Sequence, residues 1–279
     1  MTTDAVRTRV TSAHVIALRD GHVRHRTDAL AGEEPLEIRA AGPSQEPVRV
    51  AVTMRTPGDD FELAAGFLIT EGLVAHDAIE AVAYCEDPDL QRYNVVTVRT
   101  RTPFDLGTAE RNFFATSSCG ICGKAALEAI TVRCASLGPG PTVRANVLLA
   151  MPDALRQRQR VFDRTGGLHA AGLFGTGGDL RLLREDVGRH NAVDKLVGAV
   201  ALATGSGGDV LLVSGRLSFE IVQKAAVARI PILCAISAPS SLAVEAAWEL
   251  GVTAVGFLRP GGLNIYTHPE RVDTESAER

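Results

Sequence analysis

Two cysteines three positions apart, Cys119 and Cys122, stand in the run Thr116-Ser117-Ser118-Cys119-Gly120-Ile121-Cys122-Gly123-Lys124. The chemistry open to such a pair is that of the thiolate, which is the nucleophile, and a helix N-terminus or a neighbouring Lys lowers a thiol pKa. Lys124 and the amides following Ser118 can supply both effects. Ser117 or Ser118 would be the N-cap, and Ala125-Ala126-Leu127-Glu128-Ala129-Ile130 has the composition of a helix that buries one face. Gly120 and Gly123 leave the backbone beside the sulfurs uncrowded, as approach by a second molecule requires.

Three chemistries fit the pair. A thiol-disulfide oxidoreductase attacks with one thiol and resolves with the other, usually at a helix start in a βαβ unit; here the strands leading in are poorly marked. A zinc site needs four ligands, and Cys85, Cys134 and Cys234 form no second close pair. Zinc deaminases combine a CxxC with an upstream H-x-E. No H-x-E precedes Cys119, His76 being followed by Asp77-Ala78, and no Pro stands just before the cysteine. The third chemistry is sulfur relay, in which a thiolate accepts sulfane sulfur as a persulfide and hands it on; it needs one exposed nucleophile and no metal. The plainest alternative is a pair of small half-buried residues with no role. Spacing alone leaves relay and redox level.

The pair must be positioned by a folded chain. With 279 residues, 46% of them hydrophobic, the chain can bury one large core or two smaller ones. Five cysteines, an odd number, do not suggest a secreted disulfide framework, and the first residues hold no apolar run resembling a signal peptide, which points to a reducing cytoplasm. A net charge of −4 with scattered basic residues gives no nucleic-acid footprint. No apolar stretch is long enough to span a bilayer.

Residues 1–32 read as a flexible polar arm. Residues 33–136 read as a small α+β domain ending in the CxxC loop and helix, with strands at Pro35-Arg39 and Val48-Met54, a helix from Asp59 to Leu73, and strands near Ile79-Tyr84 and Asn94-Arg99. Leu137-Gly138-Pro139-Gly140-Pro141 is the linker by its breaker content. Residues 142–279 read as an α/β domain. Its helix from Pro152 to about Arg164 is followed by short apolar strands at Asp209-Ser214, Pro231-Ser237 and Val252-Leu258, alternating with helices at Phe219-Ile230 and Ser241-Leu250. That alternation predicts a mainly parallel sheet covered on both faces. Cys234 falls inside a core strand, and it reads, with Cys134 and Cys85, as packing.

Ligands collect beyond the carboxyl ends of such strands, where helix N-termini present unsatisfied amides. Three loops there carry suitable residues: Ser214-Gly215-Arg216-Leu217-Ser218, Ser237-Ala238-Pro239-Ser240-Ser241, and Phe257-Leu258-Arg259-Pro260-Gly261-Gly262. Together they suggest a phosphate or nucleotide cradle without a Walker or G-x-G-x-x-G motif; capping serines and turn glycines would explain any one loop alone. A second polar concentration joins His169 to Asp186, Arg189, His190, Asn191, Asp194 and Lys195, with Asn191 placed to cap the helix that runs toward Leu202. A metal is not expected, since His169 and His190 come without third and fourth ligands. The alternative for this stretch is a solvated turn with internal ion pairs worth little.

The motifs SSCGICGK, TGGLHAAGLF, REDVGRHNAVDKLVG, SGRLSFEIVQKAA, SAPSSLAVEAA and VTAVGFLR, in this order, resemble the formate dehydrogenase accessory sulfurtransferase family, the FdhD family. The resemblance runs from about the first strand to Arg259. It implies a cytoplasmic homodimer that takes sulfane sulfur from a cysteine desulfurase, holds it as a persulfide, and delivers it to the molybdenum cofactor destined for formate dehydrogenase. It implies a cytidine-deaminase-like, three-layer larger domain without zinc chemistry. The carrier is then Cys119, with Cys122 as the second thiol. The bound substrate is molybdenum held by two molybdopterin guanine dinucleotides, contacted by the segment Phe257, Leu258, Arg259, Pro260, Gly261 and Gly262. GDP-like nucleotides would occupy the same cradle. Joined to the loops above, this assigns nucleotide phosphates to Ser214, Gly215, Arg216 and Arg259, and pterin or phosphate groups to His190, Asn191 and Asp194. A thiol-disulfide oxidoreductase, or a non-catalytic assembly chaperone that binds cofactor and enzyme, remains the competing reading.

Overall fold

The computed structural model describes residues 8–85, 94–105, 134–203 and 208–275. Cys119, Cys122 and the helix expected behind them lie outside the described residues.

Strands β1 (Val10–Arg19) and β2 (His22–Ala31) pair antiparallel along their whole length, from Val10 opposite Ala31 to Arg19 opposite His22. The stretch expected as a flexible arm is therefore largely a hairpin. Asp20 and Gly21 turn it with φ of 51° and 78°, the left-handed pair that an Asp-Gly turn supplies. Ile16, Leu18 and Val23 remain exposed on it. With much of both faces in solvent, the alternation that marks a half-buried strand is missing.

Strands β3 (Glu34–Ala41) and β4 (Val48–Arg55), helix α1 (Asp60–Thr70), and strands β5 (Ile79–Tyr84) and β6 (Val95–Thr100) follow. They form a four-stranded sheet of order β4-β3-β6-β5, in which only β3 and β6 run parallel. Leu36, Ile38, Val96 and Val98 on its inner face pack against Leu63, Ala64 and Leu68 of α1. The start of α1 is fixed by the buried Arg55 guanidinium, which donates to both Asp60 carboxylate oxygens at 2.8 and 2.9 Å. Such a fork sets direction as well as distance.

The remaining elements are β7 (Val143–Arg144), α2 (Ala145–Arg156), α3 (Arg160–Thr165), β8 (His169–Phe174), β9 (Leu180–Asp186), α4 (Arg189–Leu202), β10 (Val210–Val213), α5 (Phe219–Val227), β11 (Ile232–Ala235), α6 (Ser241–Glu249), β12 (Thr253–Arg259), β13 (Gly262–Ile265) and β14 (Val272–Asp273). Six of the strands form one sheet of order β13-β12-β11-β10-β8-β9. Strands β10, β11 and β12 are parallel, but β8 lies antiparallel to both β10 and β9, and β13 antiparallel to β12. The sheet is thus mixed rather than mainly parallel. The short connections β8-β9 and β12-β13 allow only hairpins, because a parallel return needs a crossover of a dozen residues or more. The single helix expected from Pro152 to about Arg164 is two: α2 starts at Ala145 and carries Pro152 in its interior, and α3 follows after a break.

Helices α4, α5 and α6 cover one face of this sheet through residues such as Val193, Leu196, Ile221, Val222 and Ala246. Helix α2 covers the other through Leu148, Met151 and Leu155. The result is three layers.

The two sheets are locked together where α1 crosses α4. A Cβ built on Gly66 would lie 1.8 Å from the Asp194 carbonyl oxygen, and one on Gly198 would lie 1.8 Å from that of Glu62. The backbones touch, and only glycine fits. Arg184 of β9 forks onto the Glu62 carboxylate of α1 beside this crossing. Among the described residues no helix is long and apolar enough to cross a membrane.

Candidate functional site

Because β9 and β10 both run antiparallel to β8, their carboxyl ends share one edge with those of β11 and β12. From that edge α4, α5 and α6 depart, so three helix N-termini open on the same side. The three loops expected to form a cradle meet there. The Leu217 amide donates to Ala238 O at 3.2 Å and the Ser240 amide to Leu217 O at 3.0 Å, while the Phe257 amide reaches Ser237 O at 3.1 Å.

Each loop is built for its place. Ser214 continues the β8-β10 ladder: its amide donates to Ala170 O at 3.0 Å and its hydroxyl accepts from the Ala170 amide at 2.9 Å. Gly215 lies over two side chains, since a Cβ placed there would be 3.5 Å from His169 Nδ1 and 3.6 Å from Arg189 Cβ and Cδ. Arg216 is exposed. Ser240 caps α6, accepting from the Ala243 amide at 3.3 Å, so its role is the ordinary one.

The third loop is a turn rather than an open loop. Arg259 pairs with Gly262 across Pro260-Gly261, and Gly261 takes φ 87°; Pro followed by a left-handed Gly is the type II pattern. Phe257, at φ 52°, is held in the left-handed region where a bulky side chain is strained. Its ring carries the Arg259 guanidinium at 5.7 Å. Phe257, Arg259, Pro260, Gly261 and Gly262, with Leu263 and Asn264, line a shallow groove of about 470 Å³. Leu258 does not join them: it is fully buried in the core beneath α2.

The structure divides the second polar cluster in two. Asp186, Lys195, Asn191 and Asp194 face inward. Lys195 Nζ sits 2.7 Å from Asp186 Oδ2 and donates to Thr56 O at 2.8 Å. Asp186 also accepts from the amides of Thr56 at 3.1 Å and Gly188 at 2.8 Å. Asn191 is not the cap; Gly188 holds that position, and the Asn191 amide nitrogen donates to Met54 O at 2.7 Å and Asp186 Oδ1 at 3.1 Å. Asp194 is closed off between Thr70, whose hydroxyl donates at 2.6 Å, and Lys224 at 2.9 Å. Its expected ligand role is corrected accordingly: it joins the two sheets. Lys224, which also pairs with Glu71, has its pKa raised, burial being outweighed by the two carboxylates.

His169, Arg189 and His190 are only partly buried at the sheet edge. Burial, then the Arg189 charge, push the His169 imidazole down, with Asp186 opposing. Burial, then Arg189 and Lys224, take His190 down to about 4 against Glu220 and Glu71. The His190 ring is therefore neutral at neutral pH, and the His169 ring is pushed toward its neutral form. Glu220, in the first turn of α5, lies 3.8 Å from His190 Nε2; nothing in the sequence singles it out, because an acid in a first turn is also ordinary helix chemistry.

Two of the other three cysteines are unsuited to nucleophilic work. Cys134 is buried, and burial pushes the Cys234 thiol up to about 12. Among the described residues no three His, Cys, Asp or Glu side chains are grouped to hold a metal. The chain does contain one H-x-E, downstream of the cysteines, at His268-Pro269-Glu270. There the His268 ring stacks on Trp248 at 4.9 Å and its Nδ1 lies 3.3 Å from Glu270.

The sequence profile of the FdhD/NarQ family matches residues 31–273. The chain belongs to the FdhD/NarQ family. Similar curated relatives in the family include "Sulfur carrier protein FdhD" of Streptomyces avermitilis, 53% identical over 275 residues and covering 94% of this chain and 95% of the relative. The protein of the same name in Saccharolobus solfataricus is 43% identical, covering 95% and 98% respectively. Among solved structures, a protein from Desulfotalea psychrophila assigned as a formate dehydrogenase accessory protein superposes with a TM-score of 0.73 at 24% identity, covering 95% of this chain and 100% of that one. At that identity the likeness establishes the fold shared with that protein.

Proposed function

We propose that this protein is a sulfur carrier that supports formate dehydrogenase, charging Cys119 as a persulfide and passing the sulfur to the molybdenum cofactor. The observation that carries the reading is the identity of about half of all residues, over nearly the whole chain, to proteins named sulfur carrier. In the charging step the Cys119 thiolate attacks the terminal sulfur of a desulfurase persulfide. A new S–S bond forms, the donor's S–S bond breaks, and the donor cysteine leaves as thiolate. Attack by Cys122 on the Cys119 sulfur would then release the terminal sulfur as hydrosulfide and leave a disulfide, which a thiol reductant reopens. The buried Cys134 and Cys234 support the assignment by being unfit for this chemistry.

The receiving molybdenum is substrate here, bound through two molybdopterin guanine dinucleotides. The groove from Phe257 to Asn264 and the Ser214-Arg216 loop would hold its nucleotide ends, with Arg216 and Arg259 as exposed cations. On this reading the larger unit is cytidine-deaminase-like in fold without zinc chemistry, and the working form is a cytoplasmic homodimer. Incubation with a cysteine desulfurase and cysteine, followed by intact-mass and peptide mass spectrometry, should add 32 Da, the mass of one sulfur atom (about 32 Da), on Cys119. Unmodified Cys119, or undiminished formate dehydrogenase activation by Cys119→Ala, would sink the relay.

A further inference from the structure

Trp248, in the last turn of α6, is 59% exposed. Its ring is nonetheless fixed. The His268 ring stacks on one face at 4.9 Å and 19°, and His268 Nε2 donates to Trp248 O at 3.0 Å. His268 is itself held, by a left-handed backbone at φ 47° and by Glu270, 3.3 Å from its Nδ1. With Val244, Tyr266 and Thr267 the indole lines a shallow groove of about 370 Å³. A large ring locked in place yet left in solvent adds little to the core, and rigid tryptophans of this kind anchor protein interfaces.

The two charged residues lining the groove are both acidic. Glu245 and Glu249, exposed on either side of Trp248 in the chain, stand at i and i+4 on one helix face, where like charges repel. Neither makes an ion pair among the described residues. The last turn of α6 carries no basic residue, so the negative end of the helix dipole adds to theirs uncompensated. The groove therefore lacks a cation.

We propose that this groove docks a basic segment of a partner protein, with an arginine guanidinium laid on the Trp248 indole between Glu245 and Glu249. A planar guanidinium stacks on an aromatic face and forks onto carboxylates, which an ammonium does less well. One such cation would offset the repulsion between the two glutamates and the charge of the helix end together. The groove lies apart from the cradle, because α6 opens on the cradle with its first turn and carries Trp248 in its last. Docking there goes beyond sulfur transfer and holds whether or not the chain carries sulfur.

As the chain's one tryptophan, Trp248 reports on its own groove. Tetra-arginine added to the full-length protein should change its emission saturably, tetra-lysine should bind more weakly, and tetra-glutamate should not bind. Calorimetry with the same peptides reads the variants. Glu245→Gln and Glu249→Gln should each weaken tetra-arginine about two- to fivefold, the range for an exposed ion pair. Trp248→Ala should weaken it by a similar factor, about two- to fivefold, through the lost cation–π contact. Both glutamates are exposed, so the melting temperatures of their variants should stay at the wild-type value. Sedimentation of the Trp248→Ala protein tests the other occupant: an oligomeric state different from wild type would make the groove a contact between copies of this chain and overturn the proposal. So would tetra-arginine without effect on Trp248 emission, tetra-lysine bound as tightly, or a Glu245→Gln/Glu249→Gln double variant that binds as wild type does.

Discussion

His190 is a histidine whose charge the fold suppresses. Burial first, then the cations Arg189 and Lys224, hold it down at about 4, whereas the unfolded chain returns it to about 6.5. Between these values the unfolded state binds more protons than the native one, so native stability falls as pH drops through that window and is unaffected by His190 above it. Wild type should lose more stability between pH 7 and pH 4.5 than His190→Gln, as read from melting temperatures across that range. Parallel curves for the two proteins would show that the imidazole is not held neutral. The same suppression bears on the site, since a neutral ring beside Arg189 leaves the guanidinium as the fixed charge that an anion would meet.

At the scale of elements, the crossing of α1 and α4 sets how closely the two units pack. With Gly66 and Gly198 in backbone contact, the two helices have one separation at which they fit. Gly198→Ala forces its new methyl into the Glu62 carbonyl, and overpacking of this kind costs about 3 kcal/mol. Urea denaturation should show that loss. Gly138→Ala, where nothing lies within 4 Å, should stay within about 0.5 kcal/mol of wild type. A Gly198→Ala protein as stable as the Gly138 variant would mean the helices part freely. The cradle is an element-scale product too: Leu217, Ala238, Ser237 and Phe257 are tied edge to edge by main-chain hydrogen bonds, which hold its three loops against one another.

At the scale of the whole molecule, the buried pairs Lys195-Asp186 and Lys224-Asp194 bind the small sheet unit to the large one through Thr56 and Thr70. Lys195→Met would leave Asp186 buried without its counter-charge, a change that costs about 3–5 kcal/mol. Guanidinium denaturation should show one transition, shared by circular dichroism and the fluorescence of Trp248, the chain's one tryptophan, and shifted down in the variant. Separate transitions for the two probes would show that the units fold independently. The sequence by itself determined what depends on neighbours along the chain: the CxxC at Cys119 and Cys122, the family through its ungapped motifs, and the strand-helix alternation from Val210 to Arg259. Tertiary structure alone decided which members of the 184–195 cluster turn inward and which stay partly exposed at the sheet edge. Asp194 and Asn191 are claimed by Thr70 and Met54, more than a hundred residues away, and no local pattern encodes a partner at that distance. It also decided that the sheet is mixed and that the N-terminal stretch is a hairpin, because strand direction and pairing are long-range choices, made by turns and by the burial they permit. Arg189 and His190 looked like their neighbours in the sequence; the fold buries one nitrogen of each, Nε and Nε2, with no hydrogen-bond partner among the described residues.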